Sequence, residues 1–144
     1  MIAADLIQFL RERIAEDERL ARDAAQRAAA QLAISDRKDD MHEPPYDGTR
    51  WGYDYGLLTV GERIASRHRF TEIADCGAMG FALTPHIAQH DPARTLAEVA
   101  AKRAIIRQWE YWEAKGKRGP WTVACRLLAL PYANHPDYLE EWRP

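Results

Sequence analysis

Apolar residues recur at helical intervals from Asp5 to Ile34, where Leu6, Leu10, Ile14, Ala21, Ala24, Ala28 and Leu32 follow one another at steps of three, four or seven. That period predicts one long amphipathic helix. Asp5 with Gln8 reads as a capping box at its start, and Glu18 with Arg22 and Asp23 with Arg27 are acid-to-base pairs one turn apart. The second half of the apolar face is lined with Ala, so another segment of this chain, or the same helix of a second copy, can approach closely there. Ser35 to Gly48 then carries seven charged side chains and a Pro-Pro pair with no period of either kind, which predicts a solvated loop.

The pattern changes from Arg50 to Gly77. Trp51, Tyr53 and Tyr55 alternate, Leu58, Val60 and Ile64 lie an even number of residues apart, and Phe70 to Ala74 forms a third short run. Gly56, Gly61 and the region of Ser66 supply turns, so residues 50–77 read as a small antiparallel sheet of two or three strands packed on helices. Thr84 as N-cap with Pro85 as first helical residue starts a short helix that ends at His90, and Asp91 with Pro92 repeats the device for a longer one. Leu96, Val99, Ile106 and Trp109 stripe the longer helix, while the long stems of Lys102, Arg103 and Arg107 carry their charges out to water. Gly116 to Gly119 ends it. Pro120 opens a further helix to Leu130 with Ala124, Leu127 and Leu128 buried, Pro131 closes it, and a last turn runs from Pro136 to Trp142.

The expected fold is therefore α+β and mostly helical. It has a long N-terminal helix (5–34), a small antiparallel sheet (50–77) and a C-terminal helical hairpin within a helical half (84–142). A chain of 144 residues, 47% hydrophobic and 29% charged, has the length and composition of one globular domain spanning 1–144. No apolar run reaches the roughly 20 residues that cross a bilayer, and the N-terminus has no basic region followed by an apolar one, so a cytoplasmic protein is expected. Cys76 and Cys125 stand far apart without a C-x-x-C pair, as isolated buried thiols would. A net charge of −2 gives no general attraction to nucleic acid or to an anionic membrane.

Chemistry concentrates in two matching knots, Thr84-Pro85-His86-Ile87-Ala88-Gln89-His90-Asp91-Pro92 and Asn134-His135-Pro136-Asp137-Tyr138. His86 and His90 are four apart on one helix, a spacing that offers two ligands to zinc, with His135 or Asp137 as a third if the knots meet. The zinc-protease form of the spacing needs Glu after the first His, and Ile87 stands there, so that hydrolysis is excluded. Asp91 has a simpler role as an N-cap, Asp137 one in a first turn, and His90 one at a helix C-terminus. There is no nucleophile elbow, phosphate-cradling loop or Walker motif. No cofactor is expected, zinc being the one candidate, and catalysis is not the favoured reading. Trp51, Tyr53 and Tyr55 beside Arg50, Arg63, Arg67, His68 and Arg69 loosely match a platform for single-stranded nucleic acid, though any half-buried strand alternates in this way. Five Trp residues, four of them in the C-terminal third, suit a protein-binding surface if some are exposed.

The run His86 to Arg103 (HIAQHDPARTLAEVAAKR) followed by Leu127 to Pro144 (LLALPYANHPDYLEEWRP) resembles an uncharacterised family of small proteins from actinobacteria and their phages, a domain of unknown function. The resemblance implies a cytoplasmic accessory protein whose hallmarks are His86, His90, Asp91, Pro92, His135, Pro136, Asp137, Tyr138 and Trp142. The reading that results is a module acting on a host protein by contact, with His86, His90, Asp91, His135, Asp137, Tyr138 and Trp142 as binding residues. Metal binding through His86, His90 and His135, nucleic-acid binding, and a homodimer formed through the N-terminal helix are the alternatives. Binding by contact predicts an exposed apolar patch of several hundred Å².

Overall fold

The computed structural model describes residues 2–36, 48–54, 57–64, 67–75, 80–117 and 119–144. The fold is α+β and mostly helical. Helix α1 runs over Ile2–Asp36, strands β1, β2 and β3 over Trp51–Asp54, Leu57–Ile64 and Arg67–Asp75, and helices α2, α3 and α4 over Gly80–Gln89, Pro92–Ala114 and Pro120–Ala129. The 3₁₀ turns Leu130–Tyr132 and Glu140–Trp142 follow α4. Among the described residues no helix is long and apolar enough to cross a membrane. The chain divides into two compact units, Met1–Glu18 with Ala97–Pro144, and Arg19–Leu96, with α1 and α3 contributing to both.

The first unit is built on apolar faces of helical period. Leu6, Leu10 and Ile14 of α1 bury against Val99 and Ile106 of α3, Cys125 and Ala129 of α4, and Trp142. Helix α1 begins one turn before Asp5, so Asp5 sits in the first turn, where its charge favours the helix dipole, and does not cap it. Gln8 bonds forward to Glu12 at 2.7 Å, so the expected capping box does not form. Helix α3 ends at a glycine for a steric reason: Gly116 has φ of +67°, and Lys117 N–H reaches the Trp112 carbonyl at 3.0 Å while Gly116 N–H reaches that of Glu113 at 2.9 Å.

The second unit is a three-stranded antiparallel sheet, in the order β1-β2-β3, with helices on it. Gly61 does not turn the chain as its type suggested. It lies within β2 opposite Phe70, and the register slips between Leu58 and Thr59 instead. Leu58 and Val60 are buried on one face and Thr59 on the other, so both faces are covered there; Val60 packs on Ala28 of α1, and α2 lies against β1 and β2. The chain's own turn at Gly48 is seated against Ala25 and Ala29 of α1. Its φ is +70°, and a Cβ built there would lie 2.0 Å from the Ala25 carbonyl oxygen and 2.6 Å from the Ala29 nitrogen. Helix α2 starts at Gly80, so Pro85 lies a turn inside it and Thr84 is fully buried within the helix, where an N-cap had been expected. Proline at that depth gives up one backbone bond, a cost the packing of Thr84 and Ala88 offsets.

Cys125 is a free, fully buried thiol, and burial pushes its pKa up to about 11; Cys76 lies outside the described residues. An unfolded thiol ionises near pH 9, so between about pH 9 and 11 the unfolded state loses a proton that the native state keeps. Stability then falls as pH rises, by roughly 2 to 3 kcal/mol at most by pH 11. Lys102 and Tyr132, whose pKa values are also raised, act in the same direction at higher pH. Urea titrations at pH 8 to 11 are expected to give a flatter decline for Cys125→Ala than for wild type, and parallel declines would refute the assignment.

Candidate functional site

The first knot is a joint between two helices in the second unit. At the end of α2 the His90 ring donates from Nδ1 to the His86 carbonyl at 2.8 Å, and Arg94 reaches the Gln89 carbonyl at 3.3 Å, so carbonyls freed where the helix stops are satisfied. Asp91 then caps α3: its Oδ1 accepts from the Arg94 backbone N–H at 2.8 Å, and Pro92 fills the first helical position. Its Oδ2 also accepts from the Trp51 backbone N–H at 3.4 Å, while Ala93 N–H donates to the Thr49 carbonyl at 3.0 Å. One buried carboxylate therefore fastens both α3 and the start of β1, a cap contribution of about 1 kcal/mol. The His86 and His90 rings lie 4.4 Å apart and are exposed.

The second knot closes the first unit around Phe9. Trp142, His135, Tyr138 and Tyr132 surround that ring at centroid distances of 5.0, 5.7, 6.1 and 6.3 Å, mostly edge to face. The Arg13 guanidinium lies over the same ring and meets His135 Nε2. On its other side the ring faces Asp137, whose backbone N–H lies 3.2 Å and whose carboxylate lies 3.7 Å from His135 Nδ1. Tyr138 Oη and Trp142 Nε1 are buried without a hydrogen-bond partner among the described residues, so the rings are held by packing. The helical turn expected from Pro136 breaks into bends and a short 3₁₀ turn, with Leu139 extended and Asp137 exposed.

Beside it, Lys102 does not carry its charge to water as expected. Its Nζ donates to Asp17 at 3.0 Å and to Tyr132 Oη at 2.7 Å, and Tyr132 itself donates to Asp17. Burial works against the ammonium, but those hydrogen bonds overcome it and its pKa rises; burial and the Asp17 bond likewise raise that of Tyr132. Neither group is shifted toward neutral pH, so the trio serves as a polar brace. Arg103 pairs with Glu18 at 2.6 Å on the same side.

His86, His90 and Asp91 thus belong to one unit and His135, Asp137, Tyr138 and Trp142 to the other. Among the described residues no three His, Cys, Asp or Glu side chains are grouped so as to hold a metal. Trp51 is committed within its own unit, its indole donating to the Gly48 carbonyl at 3.0 Å. Tyr55 and the side chains of Arg63, Arg67, His68 and Arg69 lie outside what is described, though the backbone pairs Arg63 with His68. None of the five tryptophans is exposed; among the described residues Tyr53 and Tyr111 are exposed.

What the sequence reading missed is the outer face of α4. Val123, Leu127 and Leu130 are 53%, 52% and 36% exposed at positions i, i+4 and i+7, while Cys125 and Ala129 fill the core on the opposite side. Leu127 was expected inside. The run VACRLLAL is apolar nearly all round, so its period does not select a face; burial of Cys125 and Ala129 does.

The profile of a family of unknown function, DUF6221, matches residues 3–144, and the chain belongs to that family. No curated protein and no solved structure matches it significantly.

Proposed function

We propose that this member of a family without an assigned activity is a cytoplasmic accessory protein of an actinobacterium or actinophage that acts by binding a host protein. The observation that carries the reading is the aligned stripe of Val123 and Leu127 on α4 and Leu130 at the start of the 3₁₀ turn that follows it. Exposed apolar residues scattered singly are ordinary, but three in line along a helix and the turn that continues it leave an apolar ridge whose burial against a partner's groove is favourable. Burying such a ridge supplies affinity without chemistry. The two knots support the same reading from the other side: Asp91, His135, Tyr138 and Trp142 are consumed in holding the fold. The origin rests on the resemblance of the two long motifs at His86 to Arg103 and Leu127 to Pro144.

The test is retention from actinobacterial lysate on immobilised wild type and on a Val123→Ser/Leu127→Ser variant. Captured proteins would be identified and the affinity of the purified partner measured. A partner that binds wild type and is weakened at least tenfold by the variant is expected. Both side chains are more than half exposed, so the variant keeps its fold, and equal binding by the two proteins would remove α4 as the interface.

A further inference from the structure

Ala24 and Ala28 of α1 border a space that the described residues leave open. A cleft of about 490 Å³ runs between Ala24 and Ala28 of α1 and Trp51, Leu58 and Ala74 of the three strands, with Arg27 and Gln31 of α1 at its edge. The opening has a steric cause. Alanines stop at Cβ where a longer side chain would reach the sheet, and Gly48, seated against Ala25 and Ala29, holds the Trp51 indole through its carbonyl oxygen. The aromatic wall is thereby fixed before anything binds. Its volume falls within the range of about 300 to 1,000 Å³ usual for small-molecule sites, which combine apolar walls with a few convergent polar groups.

The polar groups here are few and of one kind. Arg27 and Gln31 stand one turn apart on α1, and among the described residues no carboxylate lines the cleft. The partner that the sequence offered Arg27 is engaged elsewhere, since Asp23 pairs with Arg19 at 3.3 Å, and Arg27 has no ion-pair partner among the described residues. A guanidinium beside an apolar, Trp-walled space favours a ligand with one negative charge and an apolar body. A phosphate or dicarboxylate would bring a second charge for which the described lining holds no second cation, and an uncharged ligand would forgo the charge-assisted bond and leave the guanidinium to water.

We propose that this cleft binds a small amphipathic monocarboxylate. Its carboxylate accepts from Arg27 and from the Gln31 amide, and its apolar body lies along Ala24, Ala28 and Leu58 against Trp51. This goes beyond the binding of a host protein through α4 and does not depend on it.

Titration calorimetry of the full chain with sodium decanoate and with indole-3-acetate, and with indole-3-acetamide as the uncharged counterpart, tests it. At least one carboxylate is expected to bind saturably at one site, with the amide roughly ten- to hundredfold weaker than its acid. Arg27→Gln is expected to weaken the carboxylate by a similar factor and leave the amide unchanged, and because Arg27 is exposed this variant folds. Ala24→Leu, checked for folding by circular dichroism, is expected to fill the cleft and abolish binding of acid and amide alike. The proposal is overturned if neither carboxylate saturates the wild type, if Arg27→Gln binds as wild type does, or if folded Ala24→Leu still binds.

Discussion

Gly48→Ala is expected to destabilise the protein by about 3 kcal/mol or more. Two independent costs fall on one methyl group. At φ of +70° an L-residue meets its own backbone, at about 1 to 2 kcal/mol, and the Cβ would also lie 2.0 Å from the Ala25 carbonyl oxygen, a separation at which one of the two must move. The obstacle is helix backbone, which cannot rotate aside, so the turn has to lift from α1 and loosen the Trp51 hydrogen bond to the Gly48 carbonyl. Gly116 supplies the control. Its φ is +67°, but nothing lies within 4 Å of its Cβ position, so Gly116→Ala bears only the conformational cost, about 1 kcal/mol. Guanidinium titrations of the two variants side by side decide the matter. Equal losses would mean that the contact with α1 adds nothing.

Phe9→Ala is expected to cost about 3 to 5 kcal/mol, the range for a buried aromatic truncated in a core that cannot collapse onto the void. Phe9 is nearly fully buried and touches Tyr132, His135, Tyr138 and Trp142, so its removal takes one wall from each of four rings. The segment after α4 is largely 3₁₀ and other turns, and Phe9 is the ring on which Tyr132, His135, Tyr138 and Trp142 converge. Limited proteolysis should therefore cut the variant first between Leu130 and Pro144, under conditions where wild type resists. A variant that keeps wild-type stability and resistance would show that the second knot is not anchored through Phe9, and would free His135, Tyr138 and Trp142 for another role.

The knots show how far residue types reach. Pro after Asp at 91 and 92 announced a helix start, and a capped helix is what stands there, because capping is settled within four residues of chain. Thr84 and Pro85 carry the same local signal and do not start a helix, since packing of α2 on the sheet extends it back to Gly80. The local preference amounts to about a kilocalorie, and burial of several side chains outweighs it. His135, Tyr138 and Trp142 were singled out as binding residues because polar and aromatic residues gathered there. Only contacts with Phe9 and Arg13, more than a hundred residues earlier, show what they hold.

By itself the sequence determined what short-range physics controls: the long amphipathic helix, a small antiparallel sheet of two or three strands, the cap at Asp91 and the glycine stop at 116. Periodicity and capping act within a turn or a strand, so they are written where they act. Tertiary structure alone decided which face of α4 meets water, that Lys102 turns inward to Asp17, and that the alanines of α1 leave a cleft beside Trp51. Each of these depends on partners distant in sequence, and an apolar run, a lysine stem or an alanine stripe carries no record of which distant surface it will meet.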